Sequence, residues 1–137
     1  MNLREKCKII KFKDLGDKRG KLVVIEGGQS IPFDIARVFY IYDSDSTIIR
    51  GQHANRKTDF VLINVAGKSK VRITNGREEF IVELNKPMMG VYIPKMIWKD
   101  MYDFSKDSVL LVLANTHYDG KEYIRSYEEY LKEVNVD

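Results

Sequence analysis

Cysteine is nearly absent. A single residue, Cys7, occurs in 137, so no internal disulfide can form and no thiolate pair can hold a metal. A chain without a disulfide framework reads as a cytoplasmic protein, and Cys7 itself as a half-buried strand residue. Histidine is almost as scarce, at two residues, His53 and His117. No uncharged run approaches the ~20 apolar residues that carry a helix across a bilayer, so no membrane association is expected. The first residues carry charges and no apolar stretch, so no signal peptide is expected. A surplus of one charge is missing too: 23 Lys and Arg stand against 20 Asp and Glu, a net charge of +3. That argues against nucleic acid as a partner and still suits an anionic small molecule, given a few well-placed cations.

What is present is an ordinary globular composition, 44% hydrophobic and 31% charged, enough for one domain spanning 1–137. The hydrophobic period is mostly that of strands. Strands are predicted over 8–12, 21–26, 37–43, 60–66, 70–74, 79–84, 90–93 and 108–114, with aromatic and β-branched residues filling most of them. Asn75-Gly76 between two of them is the strongest short hairpin signal in the chain. One helix is predicted, over 122–133, where Tyr123, Tyr127, Tyr130 and Leu131 recur at helical spacing and read as core packing. Many short strands followed by one late helix predict an all-β sandwich or barrel whose mouth can hold a small molecule.

His53 is the first candidate for proton transfer near neutral pH. Asn55 lies two residues on, so in a strand the imidazole and the amide point to one face. Arg37 and Arg50 sit near the ends of neighbouring predicted strands, and a guanidinium fork matches phosphate oxygens. His117, between a strand and the helix, reads as a loop residue.

The stretch 51–67 resembles the first signature of the cupin superfamily, with His53 at its first histidine, Asn55 at its second and Asp59 nearest its acid. The second signature resembles 90–101, where Trp98 and Lys99 stand at the last histidine of metal-binding cupins. One imidazole, a neutral amide and a distant carboxylate do not make a divalent-metal site, so no metal is expected.

The resemblance extends along nearly the whole chain. The stretches 12–14, 20–26, 31–35, 37–41, 50–54, 90–93 and 112–114, with Trp98, Tyr118-Asp119 and Tyr123-Ile124-Arg125, are similar in order and spacing to the dTDP-4-oxo-6-deoxyglucose 3,4-ketoisomerases. That resemblance implies an all-β cupin jelly-roll β-barrel with a short C-terminal helix, a homodimer with exchanged N-terminal strands, and no cofactor. It implies a dTDP-linked 4-keto-6-deoxy sugar as substrate and its 3-keto isomer as product, in the making of 3-amino sugars for surface polysaccharides or antibiotics.

The candidate catalytic residues are then His53, Asn55 and Tyr40. Arg37, Arg50, Arg19, Trp98 and Lys99 are the candidates for binding substrate. Moving a ketone from C4 to C3 requires removal of the C3 proton and reprotonation at C4 through an enediol, work for one or two groups that titrate near neutrality. Asn55, Tyr40 or Arg37 would face the developing oxyanion. The chain departs from the family pattern at Asn55, where histidine is common, at Phe39, where tyrosine is common, and at His117, where an aromatic is common. Arg19 resembles the galacto-producing type, and Lys99 matches neither stereochemical type. Two other classes of function remain open at this point: a 3,5-epimerase of the same sugar, and a non-catalytic nucleotide-sugar binding module.

Overall fold

The computed structural model of the protein describes residues 1–134. The chain opens with a single-turn helix α1 (Leu3–Lys6), followed by strands β1 (Ile9–Lys11), β2 (Arg37–Tyr42), β3 (Arg50–Asn55), β4 (Phe60–Ala66) and β5 (Ser69–Thr74). It continues with β6 (Glu79–Leu84), β7 (Met89–Ile93), β8 (Trp98–Tyr102) and β9 (Val109–Ala114). A 3-10 turn (Gly120–Glu122), the short β10 (Tyr123–Ile124) and helix α2 (Tyr127–Glu133) follow. The strands form two antiparallel five-stranded sheets, ordered β1-β7-β4-β9-β2 and β10-β3-β8-β5-β6.

The core lies between the sheets. Phe60, Leu62, Val91, Ile93, Leu110 and Val112 from the first sheet meet Val71, Ile73, Val82, Leu84 and Met101 from the second. The central strand β4 is buried on both faces, because Val61 and Ile63 point the other way into a second apolar cluster with Phe12, Ile31 and Phe33. That explains its continuous run of apolar residues, which an exposed strand would interrupt with polar ones. A third cluster, Ala54, Trp98, Ile124 and Tyr130, packs α2 against the outer face of the second sheet.

The expectation of an all-β jelly roll holds, with a correction to the barrel. The sheets do not close on one another: β1 and β2 end the first, β10 and β6 end the second, and the result is a jelly-roll-like sandwich.

Other local expectations change as well. The strand predicted over 21–26 reduces to an isolated bridge between Asp14 and Val23. Val23 and Ile25 pack onto the outer face of the first sheet, so this segment crosses a sheet face and has no ladder partner beside it. The helix predicted from 122 begins at Tyr127. Tyr123 and Ile124 pair with Asn55 and Ala54 of β3 instead, and Ser126 caps the helix by accepting from the Glu129 N–H at 3.3 Å. Strand β8 has no counterpart among the predicted elements, because Lys99 and Asp100 interrupt its apolar pattern. Cys7 is not in a strand. It lies buried at the C-terminal end of α1, where burial pushes its thiol up to about 12. Helix α1 carried a legible signal, the capping box between Asn2 and Glu5.

Candidate active site

A cavity of about 260 Å³ opens between the sheets beside β2 and β3, with Phe39, Phe60, Arg50, His53, Lys99 and Tyr123 among its walls. Its key strand is irregular. In β3, Arg50 pairs with Met101, Gly51 with Asp100, and His53 with Lys99, so Gln52 is an extra residue in a bulge. Gly51 and Gln52 both take positive φ, +80° and +53°. Strict alternation would put Arg50 and His53 on opposite faces. The inserted residue resets the phase, and both reach the cavity. Gly51 is required there, since a Cβ would lie 2.9 Å from the Lys99 carbonyl oxygen.

The bulge also orients His53. Its Nδ1 lies 2.8 Å from the Gly51 carbonyl oxygen. A carbonyl only accepts, so Nδ1 carries the hydrogen and Nε2 keeps its lone pair. The ring packs against Tyr123 at 4.8 Å between centroids. Burial first, and then the nearby Lys99 charge, lower the His53 pKa from 6.5 to about 4, so the imidazole is neutral at physiological pH.

Asn55 and Lys99 lie deeper. Asn55 shares the His53 face as the two-residue spacing predicts, and it is buried at 1% exposure. Lys99 donates from Nζ to Asn55 Oδ1 at 3.4 Å and sits 4.3 Å from the centre of the Phe60 ring. Burial lowers its pKa from 10.5 to about 7. Behind them is Glu122, whose carboxylate accepts from the Thr58 hydroxyl and from the Lys57 N–H at 2.9 Å. Burial opposes its ionisation, but these hydrogen bonds hold its pKa below the ordinary 4.5.

Arg37 lies beside the cavity with its guanidinium 5.5 Å from the Phe39 ring centre, 6.0 Å from Phe60 and 5.7 Å from Tyr118. Its Nε and Nη2 are buried without an acceptor. Buried guanidinium N–H groups normally have partners, so two donors here stand ready for an acceptor.

The structure does not bring every expected residue together. Tyr40 touches the cavity rim, but the residue is 61% exposed and its ring pairs with Tyr42 at 6.0 Å; strand alternation turns it away from Arg37 and Phe39. Trp98 points out of the other sheet face, packed on Tyr127 and Tyr130 at 5.1 and 5.6 Å, because its neighbour Lys99 takes the inward position. Arg19 pairs with Asp17 on an exposed loop and does not line this cavity. Tyr123, Phe60 and Glu122 were not among the candidates read from the sequence: Tyr123 and Glu122 fell in the predicted helix, and Phe60 in the strand predicted over 60–66. The tyrosine read as part of a helical stripe, and its β-branched neighbour Ile124 was the sign of a strand. The residues also fail to suit a divalent ion: His53 shares its face with a neutral amide and an ammonium group, and among the described residues no three His, Cys, Asp or Glu side chains converge.

Residues 5–135 match the family described as FdtA: WxcM-like, C-terminal. The chain belongs to this family. A relative from Aneurinibacillus thermoaerophilus, named TDP-4-oxo-6-deoxy-alpha-D-glucose-3,4-oxoisomerase, is 39% identical over 133 residues, which is 95% of this chain and 96% of the relative. The QdtA 3,4-ketoisomerase of Thermoanaerobacterium thermosaccharolyticum, solved as a double variant with TDP, matches with a TM-score of 0.93 and 47% identity, over 97% of this chain and 96% of that one. A single-site variant of the same enzyme, solved with TDP-4-keto-6-deoxyglucose, matches with a TM-score of 0.93 and 45% identity over the same shares of the two chains.

Proposed function

We propose that this chain is a 3,4-ketoisomerase acting on TDP-4-keto-6-deoxyglucose. The observation that carries the reading is His53: a neutral imidazole held by Gly51 with Nε2 free, facing a cavity in a chain whose relatives are ketoisomerases. The C3 proton of the sugar is acidified by the C4 carbonyl. His53 Nε2 removes it, an enediol forms, and the same imidazolium returns a proton to C4. Arg37 and Arg50 take the diphosphate or the developing oxyanion, and Lys99 supplies a further cation against the sugar. No cofactor takes part. The product serves a 3-amino-3,6-dideoxy sugar route, in the cytoplasm.

The chain works as a homodimer with exchanged N-terminal strands. Leu22, Val24, Val38, Tyr40 and Tyr42 are all 44% exposed or more, an apolar surface that a second copy would cover. Arg19, paired with Asp17 on its exposed loop, is the residue on which a product of galacto configuration rests.

The test is incubation with TDP-4-keto-6-deoxyglucose and a 3-aminotransferase in D2O, followed by NMR. A 3-amino product with deuterium at C4 supports the reading, and proton couplings at C4 report the configuration. Deuterium entering at C5 would identify an epimerase. Bound but unchanged sugar would identify a binding module.

A further inference from the structure

We infer that Lys99 is the second proton carrier of this site, moving a proton between the two sugar oxygens while His53 works on carbon. The inference rests on the ketoisomerase reading and deepens it. Isomerisation moves two hydrogens: one leaves C3 and arrives at C4, the other leaves the C3 hydroxyl and arrives at the C4 oxygen. His53 has a single working nitrogen, since Nδ1 is committed to the Gly51 carbonyl. Nε2 cannot hold the carbon-borne proton and at the same time protonate an oxygen. Asn55, on the same face, has no titratable proton.

Lys99 is placed for the task. It pairs with His53 in the ladder between β3 and β8, lines the same cavity, and is 3% exposed. Its Nζ meets a neutral amide oxygen at 3.4 Å and an aromatic face at 4.3 Å. No ion pair holds it among the described residues. A lysine buried to cover apolar surface would snorkel or pair its charge; this one ends its chain against Asn55 and Phe60, in the wall of the cavity that His53 also lines. The charged and titratable groups around it are His53 and Arg50 from β3, Arg37 and, at the rim, Tyr40 from β2, Tyr123 from β10 and Glu122 from the 3-10 turn, while β5 opposes it with Ile73. Burial, opposed by Glu122 and aided by Arg37, brings the amine to where both protonation states are accessible near pH 7.

The steps balance. His53 Nε2 takes the proton from C3 as the Lys99 ammonium gives one to the C4 oxygen, leaving an enediol, an imidazolium and a neutral amine. The amine then takes the proton from the C3 hydroxyl as the imidazolium delivers its proton to C4. Both side chains return to their starting states.

The test is Lys99→Arg, which keeps the cation and its donors but cannot release a proton near neutrality. TDP binding by calorimetry and exchange of the C3 hydrogen for solvent deuterium are expected to persist, while formation of the 3-keto sugar falls about 100-fold or more. The exchange rate of the parent enzyme is expected to decline as pH rises through about 7, and that decline is expected to vanish in Lys99→Arg. Adding Asn55→His to Lys99→Arg places a titratable group at the same spot and is expected to restore part of the turnover. Turnover of Lys99→Arg within a small factor of the parent overturns the inference. So does loss of turnover in Tyr123→Phe alone, or a parent profile flat through pH 7, which needs no variant that folds. A parent protein with no turnover at all would sink the ketoisomerase reading instead.

Discussion

The Nδ1 of His53 and the carbonyl oxygen of Gly51, two residues apart in one bulged strand, lie 2.8 Å from each other. This contact decides the tautomer of the only histidine in the cavity, and through it which nitrogen can act as a base. The bulge that brings the carbonyl round is itself possible only because residue 51 has no side chain.

His53→Asn is expected to abolish turnover while leaving TDP binding, read by calorimetry, nearly unchanged. The parent enzyme should lose activity on the acid side near pH 4, well below the ordinary histidine value of 6.5. Stability should follow the same group. Between pH 6.5 and about 4 the unfolded chain binds a proton that the folded chain refuses, so stability falls as pH drops through that window. Urea titrations of parent and His53→Asn across it should show a steeper fall in the parent.

Gly51→Ala is expected to damage both stability and chemistry. The new Cβ would sit 2.9 Å from the Lys99 carbonyl at a φ of +80°, a strain of about 1–3 kcal/mol. Denaturant melts should show that loss. The effect should fall on kcat more than on KM, because the displaced carbonyl no longer orients the imidazole.

Arg37→Met separates binding from folding. Its unpartnered Nε and Nη2 are expected to bond the substrate's anionic oxygens, so the variant should bind TDP more weakly by about 1.5–3 kcal/mol, the scale of hydrogen bonds to charged groups. Its melting temperature should hold or rise, because a desolvated charge without an acceptor is removed. A large fall in melting temperature would mean that the guanidinium props the fold.

Glu122→Ala is expected to leave the Thr58 hydroxyl and the Lys57 N–H without their acceptor, at a cost of about 3 kcal/mol. In the parent, the Glu122 pKa is held below 4.5, so its contribution is present above pH 4.5 and disappears as pH falls through the folded value. Melts of the variant should therefore differ most from the parent near neutrality and converge with it in acid.

Residue order alone carried the fold class, and it pointed to the histidine that the structure places in the cavity wall. Alternating apolar residues, the Asn75-Gly76 turn and the scarcity of helical periods identify a β sandwich, since a period of two is a local property of the chain. The same locality placed His53 and Asn55 on one face. What sequence reading could not supply lies where local rules are overridden. The bulge at Gly51-Gln52 shifts phase by one residue and brings Arg50 to the side of His53. The buried charge of Lys99 hid strand β8, because a lysine in a core is affordable only once an amide and an aromatic face have been assembled around it by distant segments. Tyr40 reaches only the cavity rim and Trp98 packs on Tyr127 and Tyr130: which way a strand residue points depends on which sheet face becomes the interior, and that is decided by packing between strands far apart in sequence.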